Sequence, residues 1–169
     1  GSFAETNEDH LLLVHSEGVI WYNLRTGRSE VNYLQNDIDA ALRIEDGGYW
    51  IGSVTGLTHS SSGQKLTNSR VVSLSSNDHF DIIAGTRGEG VLVGDQNGIH
   101  ALPALVGLDI DNINVIHVDF RNNLWIGSNK GVHLCSPNGK HLLRSFNTQN
   151  GLPTNEVMAL LRVGETLYA

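Results

Sequence analysis

One cysteine, one methionine and three prolines are all that this 169-residue chain holds of those residues. With Cys135 alone, neither an internal disulfide framework nor a zinc site built on cysteines is possible. Cations are scarce as well: 11 Lys and Arg stand against 18 Asp and Glu, a net charge of −7. The basic sheath that phosphate backbones require is missing, which argues against nucleic acid as a partner. Long apolar runs are absent too. The longest, Val157 to Leu161, falls far short of the ~20 residues of a spanning helix, so no membrane contact is expected of this segment. The chain opens Gly1-Ser2 without Met and reads as the remainder of a protease site, so it is silent about any leader or anchor.

Against these absences stand 40% apolar residues and 19 glycines, enough for a buried core and suited to one domain or a piece of a repeat array. A repeat is indeed present. Leu12 to Val19, Trp50 to Leu57, Leu92 to Ile99 and Trp125 to Val132 superpose on a glycine followed by an aliphatic residue. The glycines are Gly18, Gly56, Gly98 and Gly131, at steps of roughly 40 residues. Upstream of each copy runs an apolar or alternating stretch: Ile38 to Ile44, Phe80 to Ala84, Ile113 to Val118 and, for a fifth copy, Glu156 to Val163. Turn chemistry lies between, at Asp46-Gly47-Gly48, Arg87-Gly88, Arg121-Asn122-Asn123 and Val163-Gly164-Glu165. Asn97-Gly98 is the strongest hairpin signal, since both residues tolerate positive φ. Third strands lead to Thr26-Gly27, Ser62-Gly63 and Asn138-Gly139. In the third copy Pro103 replaces that turn, which predicts a short or missing outer strand.

Four antiparallel strands per repeat of this length predict an all-β fold of propeller blades. The blades are placed at roughly 10–35, 36–70, 78–107 and 111–147, with 155–169 starting a further blade or closing the ring. The chain is read as opening at a second strand, Leu11 to His15, with no innermost strand before it. Residues 156–163 are taken as an innermost strand despite their helical composition. Four blades with two open ends predict part of a larger propeller, whose edges meet further blades or a second copy.

These motifs resemble the two-component regulator propeller repeats. The nearest stretches are Asn123-Leu124-Trp125-Ile126-Gly127-Ser128-Asn129-Lys130-Gly131-Val132 and Gly48-Tyr49-Trp50-Ile51-Gly52-Ser53-Val54-Thr55-Gly56-Leu57. Gly151-Leu152-Pro153 followed by Val157 is similar to the family's connection between blades. Leu12 and Leu92 depart from the pattern where Trp is usual, and Val14 where Gly is usual. The resemblance implies a periplasmic sensing region of a membrane-anchored signalling protein. It brings no catalytic residue with it.

The residues themselves carry no Gly-x-Ser-x-Gly elbow, His-Glu-x-x-His or Walker lysine loop, so neither catalysis nor a cofactor is expected. Trp50 and Trp125 are read as buried blade-core residues, and Trp21 with Tyr22 as packing on a blade face. His100 and His133, each two residues past a repeat glycine, would be neighbours in adjacent blades. Two histidines without a third ligand do not make a metal site. Cys135 is read as a buried, inert thiol. Binding is assigned to loops held by the scaffold: His15, Glu17, Asp95, Gln96, Asn97, Asn129 and Lys130. Their amide, hydroxyl and mildly charged groups suit a small polar ligand or a glycan. The function read from this is non-catalytic sensing. The alternatives are a periplasmic propeller lyase, which needs clustered His and acidic residues on one loop set, and a protein-interaction propeller.

Overall fold

The computed structural model describes residues 2–7, 9–15, 18–34, 36–44, 48–95, 98–163 and 166–169, with 2–7 and 32–34 described by backbone alone. Glu17, Gln96 and Asn97, and the turns at Asp46-Gly47 and Gly164-Glu165, lie outside these residues. Among the described residues all regular structure is β apart from one 3₁₀ turn, Pro103–Leu105, and the strands form four four-stranded antiparallel sheets and one two-stranded sheet. The chain divides into two units, residues 1–71 and 72–169.

The first unit holds two sheets. One comprises β1 (Ser2–Asn7), β2 (His10–His15), β3 (Gly18–Asn23) and β4 (Ser29–Leu34); the other comprises β5 (Ile38–Arg43), β6 (Tyr49–Ser53), β7 (Gly56–His59) and β8 (Lys65–Thr67). The presence of β1 corrects the expectation that the first blade lacks its innermost strand. Ser2 pairs with Val14 and Glu5 with Leu11. The polar sequence Ser-Phe-Ala-Glu-Thr-Asn hides this strand from an apolar-run search. Alternation along β2 turns Leu12 and Val14 to one side, where they pack with Val19 against Ile38, Ala41, Tyr49 and Ile51 of the second sheet. On the second sheet Arg70 donates two hydrogen bonds to Asp39, each 2.8 Å.

The second unit holds two more sheets: β9 (Val71–Asn77), β10 (Phe80–Thr86), β11 (Val91–Asp95) and β12 (Gly98–Ala101), then β13 (Ile113–Val118), β14 (Leu124–Ser128), β15 (Gly131–Cys135) and β16 (Leu142–Phe146). The final pair is β17 (Leu161–Val163) with β18 (Thr166–Tyr168). Here the repeat register is corrected by one strand. The third sheet starts at Val71, so its second strand is Phe80–Thr86 and Leu92 lies on the third strand. The outermost strand is β12, and the 3₁₀ turn at Pro103 follows it. Glu156 to Leu160 are not strand; only Leu161–Val163 pair, and they pair with β18 rather than with Leu11 to His15.

Two devices explain the repeat. At Gly56 and Gly131 φ is +127° and +115°, and a Cβ would meet Thr67 O at 1.9 Å and Phe146 O at 2.0 Å. Backbone crowding by the fourth strand therefore demands glycine there. Gly52, Gly85 and Gly127, at the ends of second strands, are crowded instead by side chains of the chain segment that follows. A Cβ would lie 2.7 Å from Val71 Cγ1, 2.7 Å from Ile113 Cγ2 and 3.0 Å from Val157 Cγ1 respectively. The next residue is a buried hydroxyl each time. Ser53, Thr86 and Ser128 donate to the carbonyls of Gly56 (3.3 Å), Gly90 (2.9 Å) and Gly131 (3.2 Å), which pins the following turn.

The core of the second unit joins Phe80, Ile83, Val91, Val93, Leu102, Leu105 and Ile110 to Ile113, Ile116, Leu124, Ile126 and Cys135. Leu124 and Ile126 are fully buried on that side. Trp125 and Gly127 point the other way, as strand alternation requires. Trp125 is accordingly half-buried, and so is Trp50 in the first unit. The two tryptophans are thus not the largely buried residues the motif suggests; Ile51 and Ile126, both at 0% exposure, fill the cores. Trp21 stacks on His10 at 4.8 Å, with Arg43 Cζ 4.4 Å from its ring, and so serves packing within the first unit.

Candidate functional site

Within the second unit, Asp95 and the Asn129-Lys130 pair lie at different strand ends. In the second unit Asn129 and Lys130 form the β14–β15 turn, exposed at one end of the sheets. Lys130 Nζ donates to Asp109, and this ammonium holds the Asp109 carboxyl below the usual carboxylate range. Asn129 N donates to Asn112 O at 3.3 Å, and the neighbouring β10–β11 turn is tied to Asp111 O by Gly88 N (2.8 Å) and Gly90 N (3.0 Å). Beneath this rim is a cavity of about 200 Å³ lined partly by Glu89, Asp109 and Asp111. Asp95 lies elsewhere. The register shift puts it at the end of the third strand, β11, hence at the opposite end of the sheets from Asn129 and Lys130. His15 is exposed at the end of β2 in the first unit.

The histidine pair is also resolved. His100 lies on the outermost strand β12, with Phe80 at 6.5 Å, whereas His133 lies on the third strand β15 and is buried. The shifted register makes their positions inequivalent. His133 sits between two hydroxyls, with Nε2 3.2 Å from Ser128 Oγ and Nδ1 3.1 Å from Ser145 Oγ. Ser128 Oγ already donates to Gly131 O and accepts from Lys130 N at 3.0 Å. Burial lowers the His133 pKa and raises that of Cys135 to about 12. Among the described residues no group of three His, Cys, Asp or Glu is placed to hold a metal ion.

Two clefts border Trp125, a residue the sequence places in the core. The Asp119–Asn123 turn between β13 and β14 is built on the Asp119 carboxylate. It accepts from Arg121 N (2.8 Å), Asn123 N (3.0 Å), Asn123 Nδ2 (3.1 Å) and Trp125 Nε1 (3.0 Å). Burial would raise its pKa, but these four donors outweigh that and hold it below the usual range. The indole edge is thereby fixed, and Trp125 is half-buried between two clefts. On one side of it is a cleft of about 330 Å³ lined by Asp119, Phe120, Arg121, Asn123, Trp125 and Leu134. On the other is a more apolar cleft of about 430 Å³, bounded by Val132, Phe146, Leu152 and the β18 residues Thr166 and Leu167. Phe146 stacks near-parallel to the indole at 6.2 Å. Sequence alone marked Trp125 but not Phe120, Arg121 or Arg162; the signal was the Asp-x-x-x-Asn-x-Trp spacing, whose hydrogen bonds leave the indole edge anchored.

No family model matches the chain, and no curated protein matches it. Solved structures do. PorZ of Porphyromonas gingivalis, described as an essential bacterial surface component of the type-IX secretion system, aligns with a TM-score of 0.65 at 13% identity, over 95% of this chain and 29% of its own. The extracellular domain of a putative hybrid two-component system of B. thetaiotaomicron aligns at 0.70 and 21% identity, over 95% and 24%. That of a putative one-component system from the same organism aligns at 0.65 and 18%, over 91% and 23%. The chain thus spans about a quarter of the length of these structures. No helix among the described residues is long and apolar enough to cross a membrane. The four-stranded antiparallel sheets have the propeller-blade fold of these neighbours, and the extracellular signalling domains among them agree with the resemblance carried by the Trp-Ile-Gly motifs.

Proposed function

We propose that this chain is part of the periplasmic sensing propeller of a signal-transduction receptor and acts by binding, without catalysis. The observation that carries the reading is the alignment of nearly the whole chain with extracellular domains of two signalling systems. Fold likeness alone does not decide function. One feature of the chain adds support: a half-buried tryptophan beside clefts of ligand size. The ligand in this reading is a small polar molecule or a glycan, for which Asn129 and Lys130 are the candidate rim contacts in the second unit. The exposed Leu161, Val163 and Tyr168 of the last strand pair are covered in this reading by further blades or a second copy.

A ligand that binds only the native state must raise the melting temperature. Screening neutral and acidic glycan fragments and small metabolites against the chain should yield at least one concentration-dependent rise. If none raises the melting temperature while the chain self-associates in light scattering, the protein-interaction alternative takes over. The likeness to a surface component of a secretion system favours that second reading.

A further inference from the structure

We infer that the cleft between Trp125 and Phe120 is a subsite for a small ring bearing a carboxylate, such as a sugar acid. The inference rests on the binding function proposed above and names its ligand class. Phe120 is 64% exposed, uncommon for so large an apolar ring at a turn. Two guanidinium groups converge on it: Arg162 Cζ lies 4.4 Å from the ring centroid and Arg121 Cζ 5.1 Å. They come from distant parts of the chain, one from the β13–β14 turn and one from β17. Among the described residues neither guanidinium forms an ion pair. In a chain of net charge −7, two cations without a carboxylate partner on one aromatic ring form a local positive site.

The nearest carboxylate, Asp119, is engaged by its four donors and by the Trp125 indole in particular. It fixes the wall of the cleft, which Arg121 also lines, while Arg162 lies over the Phe120 ring at its border. Next to it His117, opposite Trp125 in the strand pairing, is kept neutral by burial and by the charge of Arg162. The positive charge therefore resides on the arginines, whose planar forks match a carboxylate in two-point fashion. Trp125 and Phe120 supply flat apolar surfaces for the body of a ring. At about 330 Å³ the cleft is at the lower limit of the roughly 300–1,000 Å³ usual for ligand sites. One ring fits that size better than a long oligomer does.

The test titrates the chain with D-glucuronate, D-glucose and sodium sulfate, following melting temperature and calorimetric binding. Glucuronate should bind about tenfold or more tightly than glucose, the gain expected of charge-assisted hydrogen bonds. The Arg121→Ala/Arg162→Ala double variant should lose that preference, and the double Lys variant should keep part of it. Arg121 is exposed and Arg162 half-buried, and an unchanged circular dichroism spectrum will establish that the variants fold. Equal binding of glucose and glucuronate overturns the inference, as does a double variant that binds like the parent. Sulfate matching glucuronate would reduce the site to a simple anion site and overturn the ring specificity. A neutral glycan that stabilises parent and double variant alike sinks this inference and leaves the sensing function standing. No shift with any compound sinks both.

Discussion

Val157 lies against Gly127: its Cγ1 would be 3.0 Å from a Cβ at that position, and its N–H donates to the carbonyl of the next residue, Ser128, at 2.9 Å. Asn114 Nδ2 donates to the Val157 carbonyl at 2.9 Å, so Val157 is held at both backbone groups. The motif glycine is therefore a seat for the residue that opens the following segment. Val115 Cγ1, at 2.7 Å from the same Cβ position, leaves no room to retreat.

Gly127→Ala should consequently destabilise the chain by about 1–3 kcal/mol, the usual cost of overpacking a filled interior. Urea unfolding followed by circular dichroism measures it. A change below about 0.5 kcal/mol would mean that Val157 is not seated on this strand.

His133 is neutral and buried, with its pKa depressed in the folded state. The unfolded chain takes up a proton near pH 6.5 and the folded chain only at lower pH. The His133 contribution is therefore full above that point and is lost as pH falls toward the folded value. Stability should decline as pH falls below about 6.5, and His133→Asn should flatten the decline while costing stability at pH 8. Parallel slopes for parent and variant would contradict the burial of this ring.

Asp119 titrates lower, because its four donors favour the charged form. Its contribution is present above the unfolded value near pH 4 and is lost as pH falls through the lower folded value. Asp119→Ala should remove that acid-sensitive part of the stability. It should also change the Trp125 emission in a background lacking Trp21 and Trp50, since the indole N–H loses its acceptor. Unchanged emission would show that the carboxylate does not orient the indole.

Cys135 is fully buried, and its thiol is pushed up to about 12. A disulfide reagent at pH 8 should leave the native chain unmodified for as long as it stays folded, and should label one thiol after denaturation. Rapid labelling without denaturant would place Cys135 outside the core.

Much of this fold is written in short-range chemistry. Gly131 and Gly56 are crowded by the backbone of the strand they precede, and Ser128 and Ser53 close the same turns, so Trp-Ile-Gly-Ser hairpins are legible wherever they occur. The third sheet shows where such reading slips. Leu92-Val93-Gly94 imitates the motif, yet Gly94 is followed by Asp95. Gly85 is followed by Thr86, whose hydroxyl closes the turn as the serines do.

Sequence alone determined the all-β hairpin repeat, the turn positions and the absence of known catalytic motifs, because these depend on residues a few positions apart. Only the tertiary structure decided the strands β1 and β9, the outward side of Trp125 and the meeting of Arg121 with Arg162 at Phe120. Alternation places Trp125 opposite Ile126 but does not say which side meets a core. That depends on which sheet packs against which face, and Arg121 and Arg162 come together only through the packing of segments some 40 residues apart.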